Sequence, residues 1–347
     1  MAELWFGIVA VLVAVYVVLD GFDFGAGALH LVVAKTNEER RQVLGAIGPL
    51  WDANEVWLIA SGGALLLAFP RVLAAGFSGF YLAIFLVIWT LLIRGISIEC
   101  RSHVHDPLWR AFWDASFAVA SVLLPLLFGA AFGNLIRGVP LSPGGTFELA
   151  LFTTLRTANP VGILDWYTVL VAAFALVTLT AHGAVFLAWK ADQAVQARSV
   201  AAAPRLWSAV ALLWLVTLIA TGSVRPGLID AIVRPLPLFA LAAALVGFWV
   251  VIAGLLRQRY LLAFLGSAAF IFCLITGTAA AVFPVMLRST LSPMNDLTAW
   301  NAASSSAGLT TALMWWALGF PLAVIYCACL FRLHRGKTRA VGEGEGY

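Results

Sequence analysis

Charge is scarce in this sequence. Only 11% of its 347 residues are Asp, Glu, Lys or Arg, while 62% are hydrophobic. A soluble domain carries about 25% charged and about 45–50% apolar residues. A water-soluble globule is thereby excluded, and a polytopic membrane protein is indicated. The net charge of +4 fits that class, because basic residues gather in cytoplasmic loops. No basic cluster is interleaved with aromatics, which excludes nucleic acid as a partner. Cysteine is sparse as well. Cys100 ends one apolar run, Cys273 lies in another, and Cys327 and Cys329 share a third. Residues two apart on a helix face different ways. That last pair therefore makes a poor metal clamp, and the thiols read as small buried hydrophobes. Of five histidines, His103, His105 and His334 fall in loops or the tail. His30 and His182 lie within apolar runs but form no facing pair, and no CxxCH occurs, so the chain is expected to bind no haem. P-loop, GxSxG, HExxH and dinucleotide-binding patterns are missing. A basic leader is missing too, and the first apolar run contains Asp20 and Asp23. That run is expected to stay as a spanning helix and not to be cleaved as a signal.

Long hydrophobic runs, by contrast, are abundant. Nine approach or exceed the roughly 20 residues that cross a bilayer: 4–33, 51–69, 73–98, 112–136, 163–189, 206–221, 238–256, 261–286 and 309–331. Strand-like alternation is absent, and lipid-exposed backbone must satisfy itself, so each run reads as a helix. The fold class is therefore all-α, a single membrane domain over 1–347 with about nine transmembrane helices. Basic residues orient it. With the N-terminus outside, the inner segments hold Lys35, Arg40, Arg41, Arg94, Arg101, Arg110, Lys190, Arg198, Arg205, Arg257, Arg259, Arg332, Arg335, Lys337 and Arg339. The outer ones hold only Arg71, Arg137, Arg156, Arg225, Arg234 and Arg288. That bias places the N-terminus outside and the C-terminus in the cytoplasm. Trp5, Trp51, Trp109, Trp113, Trp166, Trp189 and Trp207 fall near predicted ends and read as an interfacial belt. The longest loop, 137–162, faces outward and is broken by Pro140, Pro143, Gly144 and Gly145. Pro125 and Pro321 lie inside spans, where membrane helices tolerate them.

Carboxylates at membrane depth are expensive and mark ion or proton pathways. Asp20 and Asp23 share one face of the first helix, with Asp23 roughly 18 Å above its inner end at about 1.5 Å per residue. Gly21, Gly25 and Gly27 beside them allow another backbone to come close. Asp52 opens the second helix at its cytoplasmic mouth, Glu55 lies one turn deeper, and Glu99 sits near the inner exit of the third. These five acids are expected to converge on the inner half of the membrane, where groups that take up and release protons can form a relay. Two other readings stay open. One is a proton-coupled secondary transporter using the same carboxylates. The other is an assembly subunit whose acids pair with a neighbour.

Several motifs together resemble subunit II of the cytochrome bd-type quinol oxidases. They are Leu19-Asp20-Gly21-Phe22-Asp23-Phe24-Gly25-Ala26-Gly27 and Gly48-Pro49-Leu50-Trp51-Asp52-Ala53-Asn54-Glu55-Val56-Trp57-Leu58-Ile59. Phe77-Ser78-Gly79-Phe80-Tyr81, Ala131-Phe132-Gly133-Asn134-Leu135-Ile136-Arg137-Gly138-Val139-Pro140 and Leu297-Thr298-Ala299-Trp300-Asn301-Ala302-Ala303-Ser304-Ser305 follow in order. The resemblance implies a heterodimer in a bacterial or archaeal cytoplasmic membrane, surrounded by lipid and open to a small accessory subunit. It implies that the partner, subunit I, holds two b-type haems and haem d and oxidises quinol, while this chain binds no haem. Oxygen would be reduced to water with cytoplasmic protons. Asp52 matches a position associated with the proton route, and Glu99 matches a second one where relatives can carry Asp. Asp20 and Asp23 match the family's first-helix motif.

Overall fold

The computed structural model describes residues 1–338; Arg339, counted above with the inner charges, lies outside them. Twelve helices follow one another: α1 (Ala2–Val33), α2 (Asn37–Ile47), α3 (Trp51–Ala68), α4 (Pro70–Gly79), α5 (Tyr81–Cys100), α6 (Pro107–Arg137), α7 (Trp166–Lys190), α8 (Gln193–Val224), α9 (Pro226–Ile232), α10 (Pro235–Leu256), α11 (Tyr260–Val282) and α12 (Ser306–Leu333). A short antiparallel hairpin, β1 (Val285–Leu287) with β2 (Leu297–Thr298), lies between the last two. Among the described residues eight helices are long and apolar enough to cross a membrane, and α3 with α4, bent by 117° at a short break, makes nine where that pair is counted as one span.

The centre of the bundle is α1, which packs against α3, α6, α7 and α11. Glycine permits the closest of these crossings. A Cβ on Gly25 would collide with Leu179 O and the Gly183 backbone, and one on Gly183 would collide with Gly25 in return. Small residues at facing positions let membrane helices approach until their backbones touch. Around this crossing Phe22 stacks on Phe186 at 4.2 Å between centroids. A second such contact, Gly247 against Gly266, joins α10 to α11.

Several sequence expectations are corrected here. The run 73–98 is not one span: α4 turns back 117° from α3 and a new helix begins at Tyr81. Pro70 starts α4, as proline disfavours helical backbone at the residue before it, and the Phe147 ring from the outer loop covers Gly79 so closely that a Cβ would not fit. The short run 206–221 is the later part of a 32-residue helix whose first turns are polar. That shift puts Trp207 in mid-helix, where it is fully buried against Phe248 and Phe270. Trp5 is buried too, its indole N–H donating to Leu309 O at 3.1 Å. Neither belongs to an interfacial belt. The run 261–286 leaves helix at Val282 and finishes in the hairpin. The four thiols are not fully buried: Cys329 is exposed and the other three are half-buried, with Cys327 Sγ accepting from Trp57 Nε1 at 3.3 Å.

Outside the bundle, α2 is held at the inner end. Its capping box pairs Thr36 with Glu39, and Glu39 also accepts from Arg198 of α8 at 2.7 Å. The Arg198 hydrogen bond pulls the Glu39 carboxyl below its usual range. At the other end Arg137 binds Asp165, Gly162 O and Asn134, gathering the outer loop around the close of α6.

Candidate functional site: two buried charge clusters

On α1, Tyr16, Asp20, Asp23 and Phe24 recur at helical spacing and share a face. Asp20 and Asp23 are 0% exposed. Facing them, α5 contributes Arg94 and α3 contributes Asn54 and Glu55. Arg94 Nη1 donates to Asp20 Oδ1 at 2.6 Å, and Nη2 donates to Glu55 Oε1. The guanidinium lies 4.6 Å from the Phe24 ring centroid, adding a cation–π contact. Asp23 Oδ2 accepts from Asn54 Nδ2 at 2.8 Å. One guanidinium thus serves two carboxylates, and the third carboxylate has a neutral amide. The remaining polar atoms lack partners within the chain: Asp20 Oδ2, Asp23 Oδ1, Asn54 Oδ1, Arg94 Nε and the Tyr16 hydroxyl.

Three of the five expected acids therefore come together: Asp20, Asp23 and Glu55. Asp52, in the first turn of α3, is exposed and takes no part in this hydrogen-bonded set. Glu99 is exposed at the end of α5, where its carbonyl oxygen accepts from His103 at 2.7 Å. Arg94 was placed among inner loop charges by the sequence, yet it is fully buried inside the bundle. Its signal was present, since it interrupts an apolar run just as the acids do.

A second cluster, around Asp114 of α6, escaped the sequence reading altogether. Its Oδ1 accepts from Arg101 Nε at 2.5 Å and meets His30 Nε2 at 2.7 Å. Its Oδ2 accepts from Arg40 at 2.9 Å and Arg101 Nη2 at 3.1 Å. Arg101 also reaches Asn37 at 3.0 Å. This single carboxylate ties α1, α2, the end of α5 and α6 together at the inner end of the bundle. Asp114 lies close to the start of its apolar run, where an acid passes for a solvated helix end.

His182 is engaged on both ring nitrogens, by Ser267 Oγ at 2.6 Å and Val18 O at 3.1 Å, and stacks on Phe264. Among the described residues no group of three or more His, Cys, Asp or Glu side chains is arranged to hold a metal ion.

Comparison with known proteins places this geometry in a family. Residues 1–334 match the family model described as cytochrome bd terminal oxidase subunit II. The chain is 32% identical to a probable cytochrome oxidase subunit 2 of Haemophilus influenzae, over 93% of this chain and 91% of that one. It is 30% identical to the cytochrome bd-I ubiquinol oxidase subunit 2 of Escherichia coli K12, over 97% and 95%. Its fold matches the structure of bd oxidase from Geobacillus thermodenitrificans with a TM-score of 0.74 at 17% identity, covering 96% of this chain and 98% of that chain.

Proposed function

The chain belongs to the cytochrome bd terminal oxidase subunit II family, and from that premise we propose that its inner acids deliver cytoplasmic protons to an oxygen site held by subunit I. As a member, it is a subunit of a quinol oxidase complex and a multi-pass protein of the bacterial inner membrane. The family implies haem in the complex and a subunit I beside this chain.

In the proposed division of labour this subunit binds no haem. It forms a heterodimer with subunit I, which binds the b and d haems and the quinol; lipid surrounds the pair, and a small accessory subunit can join it. Asp52 is the entry, exposed at the start of α3. Glu55 lies one turn deeper and shares Arg94 with Asp20 on α1, the guanidinium holding the two carboxylates close without itself giving up a proton. Asp23 follows about one turn along α1. Glu99 is a second acid at the same end. The observation that carries this reading is the under-paired set of carboxylates in the middle of the bundle, with Asp20 Oδ2 and Asp23 Oδ1 unpartnered. A purely structural ion pair is retained when its charges are matched and hydrogen-bonded, whereas a relay needs groups that can change protonation.

Substitution Asp52→Asn in the assembled oxidase tests the route. Quinol-driven oxygen consumption is expected to fall at least tenfold, equivalent to about 1.4 kcal/mol in barrier, while haem content stays near the parent level. Unchanged turnover would remove Asp52 from the route.

A further inference from the structure

We propose that Asp23 is a neutral carboxylic acid in the resting protein, a built-in proton-holding site that carries its proton on Oδ1. The inference rests for its purpose on the proton-route reading, and adds where in the membrane a proton is stored.

The argument begins with charge. Three carboxylates, Asp20, Asp23 and Glu55, meet one guanidinium, Arg94. Both terminal nitrogens of Arg94 are engaged, one with Asp20 and one with Glu55. Asp23 is left with a single neutral donor, Asn54 Nδ2, on Oδ2. An ionised carboxylate buried in a protein needs a cation or several donors, and otherwise it takes up a proton. Asp20 can remain charged because Arg94 touches it; Asp23 has no such contact.

Hydrogen bonding agrees. The unpartnered atoms of the cluster are mostly acceptors: Asp20 Oδ2, Asp23 Oδ1 and Asn54 Oδ1, with the Tyr16 hydroxyl able to act either way. The Tyr16 hydroxyl is placed to donate to Asp20, which leaves Asp23 Oδ1 and Asn54 Oδ1 as the acceptors without a donor. A set rich in acceptors and short of donors is improved by one added donor, and a proton on Asp23 supplies it. Placed on Oδ1, that proton leaves the Asn54 bond to Oδ2 intact. Asp23 lies about one helical turn along α1 from Asp20, the residue Arg94 touches there.

The test uses the assembled oxidase. Infrared difference spectra recorded on exchange from H2O to D2O at neutral pH report the carbonyl stretch of protonated carboxyls. A deuterium-sensitive acid band is expected in the parent, lost in Asp23→Asn and kept in Asp52→Asn. An unchanged band in Asp23→Asn overturns the proposal. So does a parent with no such band, which would mean an ionised Asp23 balanced by a bound cation. Asn is nearly isosteric with the neutral acid, so Asp23→Asn is expected to assemble with parental haem content. If Asp23→Asn fails to assemble, Asp23→Glu carries the test: its acid band is expected at a frequency shifted from the parent's, and a band left unchanged overturns the proposal. Turnover separates this from the route: a band assigned to Asp23 with full oxygen consumption in Asp23→Asn leaves the proton store standing and removes it from the route. Loss of turnover with the band unchanged does the reverse.

Discussion

The two buried charge clusters are inverses of each other. Around Arg94, two carboxylates share one guanidinium, a third has only a neutral amide, and five polar atoms lack geometric partners. Around Asp114, two guanidiniums and an imidazole converge on one carboxylate, and each of its oxygens has two partners. The Asp114 carboxylate is bonded on both oxygens, although His30 Nδ1 and Arg40 Nε around it lack partners. A carboxylate matched by cations holds elements in place, whereas carboxylates in excess of cation are high in energy and respond to protons. The Asp114 cluster accordingly clasps four segments together at one end of the bundle, and the Arg94 cluster is the one proposed to change charge.

Removing the clasp carries the largest expected effect. Asp114→Asn would leave Arg101 buried and Arg40 half-buried around a neutral amide, a loss of about 3–5 kcal/mol for a broken buried ion pair. Very little assembled oxidase is expected in membranes, measured as haem recovered with the tagged subunit. Normal recovery would abolish the contrast between the clusters. Arg94→Met follows in size. It leaves Asp20 and Glu55 without their cation, so the complex is expected to be severely destabilised at neutral pH. Unlike Asp114→Asn, it should regain stability as pH falls, because unpaired carboxylates are neutralised by protonation. Thermal inactivation measured across pH would show opposite behaviour for the two variants; parallel curves would mean that the clusters are alike.

A half-buried pair outside the bundle sets the lower end of the scale. Glu39→Gln removes the partner of Arg198, and the stability change is expected to stay below about 1 kcal/mol and shrink with salt. The Arg198 hydrogen bond holds the Glu39 carboxyl below its usual range. Its contribution is therefore complete above the unfolded glutamate pKa of about 4.3 and is lost as pH falls through the lower folded value. Denaturation of parent and Glu39→Gln compared above and below that range should show the difference close in acid.

The architecture was largely legible because hydrophobic run length and basic-residue bias report directly on the membrane. What those signals cannot carry is how a run is divided. The break between α4 and α5 lies where Phe147 covers Gly79 from a distant loop, a contact no local pattern contains. Trp207 was misplaced for a related reason: the polar first turns of α8 hide the true length of that helix. At the site, Asp20, Asp23 and Glu55 were visible as acids in apolar runs. Arg94 obeys the same rule but was absorbed into the loop count, because a cation near a predicted inner end looks like topology. Asp114 was silent, since only the folded chain shows that His30, Arg40 and Arg101 surround it. Gly25 was legible as a place of close approach, although its partner Gly183 was not.

The central position of α1 has a consequence for synthesis. The helix that carries Asp20 and Asp23 leaves the ribosome before α5, since Arg94 follows Asp20 by 74 residues. An uncompensated Asp at the middle of an inserting helix costs about 2.5–3.5 kcal/mol. The opening segment must therefore enter lipid with its acids protonated, or wait beside the insertion machinery until α5 emerges. Biogenesis of this subunit is thus an ordered event, in which a late-translated arginine completes an early-translated span.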